Sequence, residues 1–560
     1  MLARLCRKQV IANVVNEAAK GSSGLKKVLG VWDLISFGVS STLGSGIFVT
    51  VGAIAAIAGP GGLCLSFLIA AIGSLLSALC YAEFASRLPV SGQSYTYTYV
   101  ALGELAAFVT GWLGFVSYSV ATAAVSRGWA TYLDSFLRTV CSDFRLPAYM
   151  VSLEGLDGLV SYSLLAALLN LVCTGLACFG VHESTKVSLI LVSVNFVLMM
   201  GFCVYGASRY GDASNLEPPL PFGWSGAVRG SGLAFFCCIG WELICTLSEE
   251  VKRPSRDLPR GIVGSLAAVT AIYCAVCVSL SSMVPFNLIS LNAPIADAFR
   301  LHNDKIGVLV VSLTVVVACV PSTLSGIVGT PRIVYKMATD GLLWPWLTRV
   351  NSYGSPVNAA IVCGCLSAVM GGLLHFESLA SSCSAVTLFM FVMVSVGVVI
   401  VRVSEHDSSP VHPHAIGKLT FTLILFCFAS LALSLGIVVA EITGSLLWCL
   451  VTVNVGTALA VFYSYNSALD TSPLSHSLLQ DEITITTVTP RRKRDVFLCP
   501  LVPTLPLIAT WVDIFMMASL GWASLCGLVG LLVSGLVVYF SYGIYNSKLN
   551  HQFIRAQKCS

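Results

Sequence analysis

Apolar residues fall in runs of about twenty along this chain, separated by short polar stretches. That pattern predicts membrane-spanning helices rather than strands. Fourteen runs can be marked, at 31–52, 61–86, 101–133, 160–180, 184–206, 230–250, 260–283, 307–335, 357–376, 380–401, 419–441, 444–466, 501–520 and 522–543. Two of them are interrupted in mid-membrane. The first, Gly38-Val-Ser-Ser-Thr-Leu-Gly-Ser-Gly-Ile-Phe-Val-Thr-Val-Gly52, contains Gly44-Ser45-Gly46, and two glycines weaken a helix by about 2 kcal/mol relative to alanine. The sixth contains Phe235-Phe-Cys-Cys-Ile-Gly240-Trp-Glu242, a glycine followed by a lone carboxylate. Hydrocarbon offers nothing to backbone groups freed by a break, so a break there predicts a polar ligand. Opening at Gly44 turns the N–H groups of Ser45, Gly46 and Ile47 into the positive end of a half-helix, suited to a carboxylate, and leaves carbonyls before it for an ammonium group. A glycine face on which another helix packs closely is the competing explanation.

Breaks in spans one and six, five helices apart, predict two five-helix repeats of inverted topology, 31–206 and 230–401, meeting at the site. The expected class is an all-α polytopic membrane protein with about fourteen helices. Its remaining parts are a cytoplasmic N-terminus (1–30), helices eleven and twelve (419–466), a Ser/Thr-rich and basic linker (467–500), helices thirteen and fourteen (501–543) and a cytoplasmic C-terminus (544–560). The linker ends in Arg491-Arg-Lys-Arg494 and reads as a chain segment lying against anionic lipid.

Charge tests the span count. With the N-terminus inside, 24 of the 31 basic residues fall in cytoplasmic segments and six in outer loops, with Arg127 left within span three. One missed helix would invert everything after it, so both termini are expected in the cytoplasm. A 56% hydrophobic, 10% charged composition and a mean hydropathy of +0.85 exclude a soluble domain. The 21 cysteines lie singly in apolar runs, without zinc spacing. HExxH, GxSxG and P-loop motifs are absent, so neither an enzyme nor a nucleotide-driven pump is expected, and no cofactor, metal or nucleic-acid site.

Few charges lie at membrane depth. Glu242 is expected to be functional, with three roles open: partner to a substrate's distal cation, a coupling-proton site, or a structural pair. Glu249 and Glu250, next to Lys252 and Arg253, read as a cytoplasmic charge network able to close an inner gate. Glu83 lies four residues before Arg87, at helix-pair spacing. Arg127 sits late in span three, where it can snorkel outward or pair with an acid.

In this order the motifs resemble a known family. Gly44-Ser-Gly-Ile-Phe48, Tyr81-Ala-Glu-Phe84, Thr110-Gly-Trp112, Ser126-Arg-Gly-Trp129, Glu249-Glu-Val-Lys-Arg-Pro254, Leu258-Pro-Arg-Gly-Ile262 and Val502-Pro-Thr-Leu-Pro506 are similar to those of eukaryotic cationic amino acid transporters, within the amino acid, polyamine and organocation superfamily. The resemblance implies a substrate α-carboxylate on the backbone of Ser45, Gly46 and Ile47. It implies an α-amino group on carbonyls of Thr42, Phe236, Cys237 and Ile239, and a cationic side chain directed to Glu242 and Ser117. Gly44, Gly46 and Gly240 would be the breaks, and Asn195 would stand where some relatives carry an ion-site lysine. The implied function is facilitative transport of arginine, lysine and ornithine, driven by membrane potential, most often at the plasma membrane, with lysosomal or vacuolar membranes as alternatives. At about 2.3 kcal/mol per 100 mV and about 1.4 kcal/mol per decade, a singly charged substrate can be concentrated roughly 50-fold. A neutral amino acid or polyamine carrier, or a sensor that binds without transporting, are the competing readings. Beyond the amino acid and lipid, no protein partner follows from the sequence.

Overall fold

The computed structural model describes residues 7–9, 29–44, 46–90, 92–140, 145–155, 160–178, 181–291, 293–351, 355–405, 413–438, 445–470 and 496–550. Most of the expected linker, 471–495, and most of both termini lie outside these residues. Among them, ten helices are long and apolar enough to cross a membrane, and Leu164–Cys178, Val357–Leu373 and Thr504–Ser519 are shorter apolar helices. One of the ten belongs to a 42-residue helix bent at Gly59, where two spans are joined. The fourteen expected spans are thereby accounted for.

In chain order the helices are α1 (Val31–Thr42), α2 (Gly46–Arg87), α3 (Gln93–Ala101), α4 (Glu104–Val140), α5 (Ala148–Val151), α6 (Leu164–Cys178), α7 (Val181–Tyr210), α8 (Gly223–Phe235), α9 (Pro254–Met283), α10 (Pro294–Leu301), α11 (Lys305–Thr339), α12 (Val357–Leu373), α13 (Phe376–Glu405), α14 (Pro413–Val438), α15 (Ser445–Asp470), α16 (Thr504–Ser519) and α17 (Trp522–Val538). A two-stranded antiparallel hairpin, β1 (Leu153–Gly155) and β2 (Val160–Tyr162), is a small departure from an all-helical chain.

Two local departures from the sequence expectation have physical causes. The first span runs beyond residue 52 because Ala53 to Ala58 continue the apolar helix until Gly59, whose φ of +77° makes the bend. Pro221 packs where a side chain on Gly59 would stand, and Gly61 donates to the Pro219 carbonyl at 2.9 Å, so the loop after α7 fills the corner. Between spans two and three, where no element was expected, Gln93-Ser-Tyr-Thr-Tyr-Thr-Tyr-Val-Ala101 forms a wholly buried helix. Its alternating aromatic and β-branched residues suit a strand. Tertiary bonds decide otherwise: Tyr95 donates to Asp340 at 2.7 Å, Tyr99 to Glu104 at 3.1 Å, and Ser94 bonds Tyr81 at 2.7 Å.

The broken elements occupy the centre. α8 and α9 pack along α2, α9 also along α1, and α11 along α4; α14 and α15 pair at the periphery. α16 reaches the core through α13 and α2. Lipid-length helices account for the many exposed apolar side chains, such as Val197, Phe421 and Trp448, which a membrane rather than water would cover.

Candidate functional site

Span one stops at Thr42, turns through Leu43 and Gly44, and resumes as α2 at Gly46. Ser45 lies outside the described residues. The Leu43 N–H bonds the Val39 carbonyl at 2.7 Å and the Gly44 N–H the Thr42 carbonyl at 3.0 Å, closing the first half-helix. The first N–H groups of α2, among them those of Gly46 and Ile47, have no acceptor within their own helix and carry its positive end.

Span six breaks in the same manner. After α8 one 3-10 turn covers Phe236–Cys238, Ile239 is extended, and Gly240 takes φ +123°. A side chain at Gly240 would run into the Ser41 carbonyl oxygen, so the position requires glycine on both counts. Residues Trp241–Glu250 then continue as a 3-10 helix of ten residues, far beyond the usual three or four.

The two breaks are fastened together. Ser41 Oγ donates to the Gly240 carbonyl at 2.8 Å, and the Tyr273 hydroxyl of α9 stands 3.1 Å from the Thr42 carbonyl and 3.0 Å from that of Cys237. Two carbonyls expected to receive an amino group are thus held by one phenol, which has a single proton to share. The Phe236 carbonyl accepts the Ile239 N–H at 3.4 Å, and Thr50 Oγ1 lies 3.1 Å from Cys237 Sγ.

Between the breaks is a cavity of about 50 Å³, bounded by Thr42, Gly44 and Gly46 of span one, Tyr118 of α4, Phe236 and Gly240 of span six, with Ser322 of α11 beside them. Cys237 and Ile239 also line it. A water needs roughly 10–15 Å³ by such a measure, so only a few fit. A side chain as long as lysine is admitted only when the lining parts.

Glu242 is fully buried behind Gly240, one step from the cavity lining. Its Oε2 accepts the Gly240 N–H at 2.9 Å, while Oε1 has no hydrogen-bond partner among the described residues. The Tyr118 hydroxyl adjoins this carboxylate and itself accepts from Gln93 Nε2 at 2.8 Å. Trp241, between break and acid, donates from its indole to Ser74 at 2.8 Å. Ser117 does not line the cavity: its hydroxyl bonds Thr387 at 3.0 Å and the Cys383 carbonyl at 3.3 Å, turned toward α13, and the next residue, Tyr118, takes the place expected of it. Asn195 is buried in α7 with Oδ1 unpartnered among the described residues.

The other charges form fastenings around this centre. Glu83 meets Arg87 at 2.9 Å and is held by Nε and Nη2 of Arg402, at 2.7 and 2.9 Å, with the Cys499 N–H at 2.7 Å. The helix pair expected from spacing is therefore one part of a knot joining spans two and ten to the segment before α16. Glu250 pairs with Arg332 at 2.8 Å, and half-buried Glu249 stands beside it. Among the described residues Arg127 pairs with no acid: it donates to the hydroxyl and carbonyl of Ser161 in the hairpin.

Sequence reading missed Tyr118, Gln93 and Tyr273, which carry no signal among many aromatic and polar residues in apolar runs. It also missed Asp513 of α16, although the rule that singled out Glu242 applies to it. Asp513 is fully buried, with one oxygen accepting from Ser77 at 2.7 Å and the other unpartnered among the described residues.

Comparison with known proteins adds a separate line. A family model described as Amino acid permease matches residues 29–471, and one described as the C-terminus of AA_permease matches 497–547. The Branched-chain amino acid permease BcaP of Bacillus subtilis is 29% identical over 548 residues, 97% of this chain and 98% of that protein. Cationic amino acid transporter 4 of Mus musculus is 31% identical over 599 residues, 98% of this chain and 92% of the relative. Cationic amino acid transporter 2, vacuolar, of Arabidopsis thaliana is 30% identical over 602 residues, 97% and 93% respectively.

Proposed function

The chain belongs to the amino acid permease family, multi-pass membrane proteins that transport amino acids and are not enzymes, and we propose that its substrates are cationic amino acids such as arginine and lysine. The observation that carries this reading is Glu242: a lone, buried carboxylate beside the break in span six, with one oxygen spent on the Gly240 N–H and the other without a hydrogen bond among the described residues, near the Tyr118 hydroxyl. At membrane depth such an oxygen is expensive unless a cation reaches it. The Gly46 and Ile47 N–H groups take the substrate carboxylate. Its ammonium group displaces the Tyr273 hydroxyl from the carbonyls of Thr42 and Cys237. The side chain then passes Tyr118 to Glu242.

Carriage proceeds by alternating access of two inverted five-helix repeats, 31–206 and 230–401. The pair Arg332–Glu250 and the backbone pairing of Leu29 with Val251 form the inner closure. The chain sits with both termini in the cytoplasm, at the plasma membrane, and membrane potential alone drives accumulation.

A second reading, a neutral amino acid carrier, is favoured by one feature. Ala121, Val125, Ile239 and Leu243 make much of the cavity wall apolar, and Glu242 lies behind it. Purified protein in liposomes decides between them. Arginine uptake that rises with an inside-negative potassium-diffusion potential and is competed by lysine supports the cationic reading; uptake of leucine indifferent to potential overturns it. Arginine binding without flux points to a sensor.

A further inference from the structure

We propose that the cytoplasmic end of α9 carries a binding site for the multiply phosphorylated headgroup of a phosphoinositide lipid. Arg253, Arg256 and Arg260 follow one another at intervals of three and four, which places them along one face of the helix. All three are exposed, and none has a carboxylate partner among the described residues; Asp257 beside them is buried and makes no ion pair with them. They edge a cavity of about 940 Å³ whose apolar side is made by Pro259, Val263 and Gly264 of α9 and by Val496 and Phe497 of the segment leading to α16.

Depth selects the ligand. α9 has 30 residues, roughly 45 Å of helix, against a hydrocarbon core of about 30 Å. Its first turns therefore stand at headgroup level. A phosphate there meets three guanidinium groups and the positive end of a long helix, and Val263, Gly264 and Phe497 give its glycerol and acyl portion an apolar wall. A soluble phosphate would use the arginines but leave that wall uncovered.

The site adjoins the foot of both broken spans. Arg253 follows Val251 and Lys252, and there the Leu29 N–H bonds the Glu250 carbonyl at 3.1 Å and the Lys252 N–H bonds the Leu29 carbonyl at 3.0 Å. A headgroup on Arg253 stiffens this joint, and its effect on flux rests on the transport reading above. Binding itself does not.

The test uses the full chain in phosphatidylcholine nanodiscs containing a few per cent phosphatidylinositol bisphosphate, or phosphatidylserine at equal charge, with bound lipid counted by native mass spectrometry. Selective retention of the phosphoinositide is expected. Each of Arg253→Gln, Arg256→Gln and Arg260→Gln should weaken it about 5-fold, the equivalent of about 1 kcal/mol per charge. Lys418→Gln, exposed elsewhere, should not, and unchanged melting in pure phosphatidylcholine shows the variants fold. Undiminished retention by the triple variant, or equal retention of phosphatidylserine, overturns the site. Inositol trisphosphate or inorganic phosphate binding as tightly as the lipid overturns the lipid assignment. Retention as expected with no amino acid carried leaves the site standing and removes the transport reading instead.

Discussion

The Ser41 hydroxyl donates a 2.8 Å hydrogen bond to the Gly240 carbonyl, across 199 residues of sequence, and so ties the broken part of span one to that of span six. Separating the two breaks would cost this bond. Gly240→Ala adds a β-carbon against the Ser41 carbonyl at a backbone angle that costs an L-residue roughly 1–3 kcal/mol. Initial uptake rates are expected to fall more than tenfold with protein still inserted in the membrane. Ser41→Ala, which removes one bond of about 1 kcal/mol, should slow uptake only a few-fold. Wild-type rates in Gly240→Ala would show that the breaks are not coupled.

Exchange of Glu242 for Gln keeps the shape and the capacity to cap Gly240 but removes the charge. A hydrogen bond to a charged group contributes about 1.5–3 kcal/mol, so arginine affinity should fall roughly ten- to a hundredfold while neutral amino acids are affected little. The measurement is the arginine-to-leucine ratio of competition constants, and an unchanged ratio would remove Glu242 from side-chain recognition.

In the binding mode proposed above, Tyr273 competes with the substrate for the carbonyls of Thr42 and Cys237, which its hydroxyl holds at 3.1 and 3.0 Å. Tyr273→Phe should lower the melting temperature of the empty protein, because two buried carbonyls lose a donor, and should increase the stabilisation that substrate confers. A smaller substrate-induced shift would mean that the phenol aims those carbonyls rather than occupying them.

Glu83 is buried with Arg402 folded over it. Removing one partner of such a pair is destabilising by about 3–5 kcal/mol, whereas replacing both is far milder. Arg402→Met should therefore lower thermal stability strongly, and Glu83→Gln combined with it should recover much of the loss. Detergent melting curves of the single and double variants check this; equal loss in both would show that the fastening depends on Cys499 and Arg87 instead.

What could be read beforehand follows from the solvent. Hydrocarbon makes a Gly-Ser-Gly turn or a lone glutamate so unfavourable that the residues announce themselves, as Gly44, Gly46, Gly240 and Glu242 did. No such penalty marks Tyr118 or Tyr273, whose rings are at home in apolar helices and whose hydroxyl partners lie on other spans. Ser117 and Tyr118 differ by one helical step of about 100°, enough to exchange a face on the cavity for a face on α13. The buried helix α3 was hidden for a related reason: Tyr95 finds Asp340 245 positions away, and local preference for a strand yields to that bond.

The winding of Trp241–Glu250 has a mechanical meaning. Ten residues rise about 20 Å as a 3-10 helix and about 15 Å as an α-helix. Rewinding this segment would shorten it by about 5 Å, drawing Glu250 and its clasp on Arg332 toward Gly240. In the transport cycle proposed above, such a change of pitch would be a stroke along the segment's own axis, delivered to the inner closure by the same stretch of chain that begins at the acid beside the cavity.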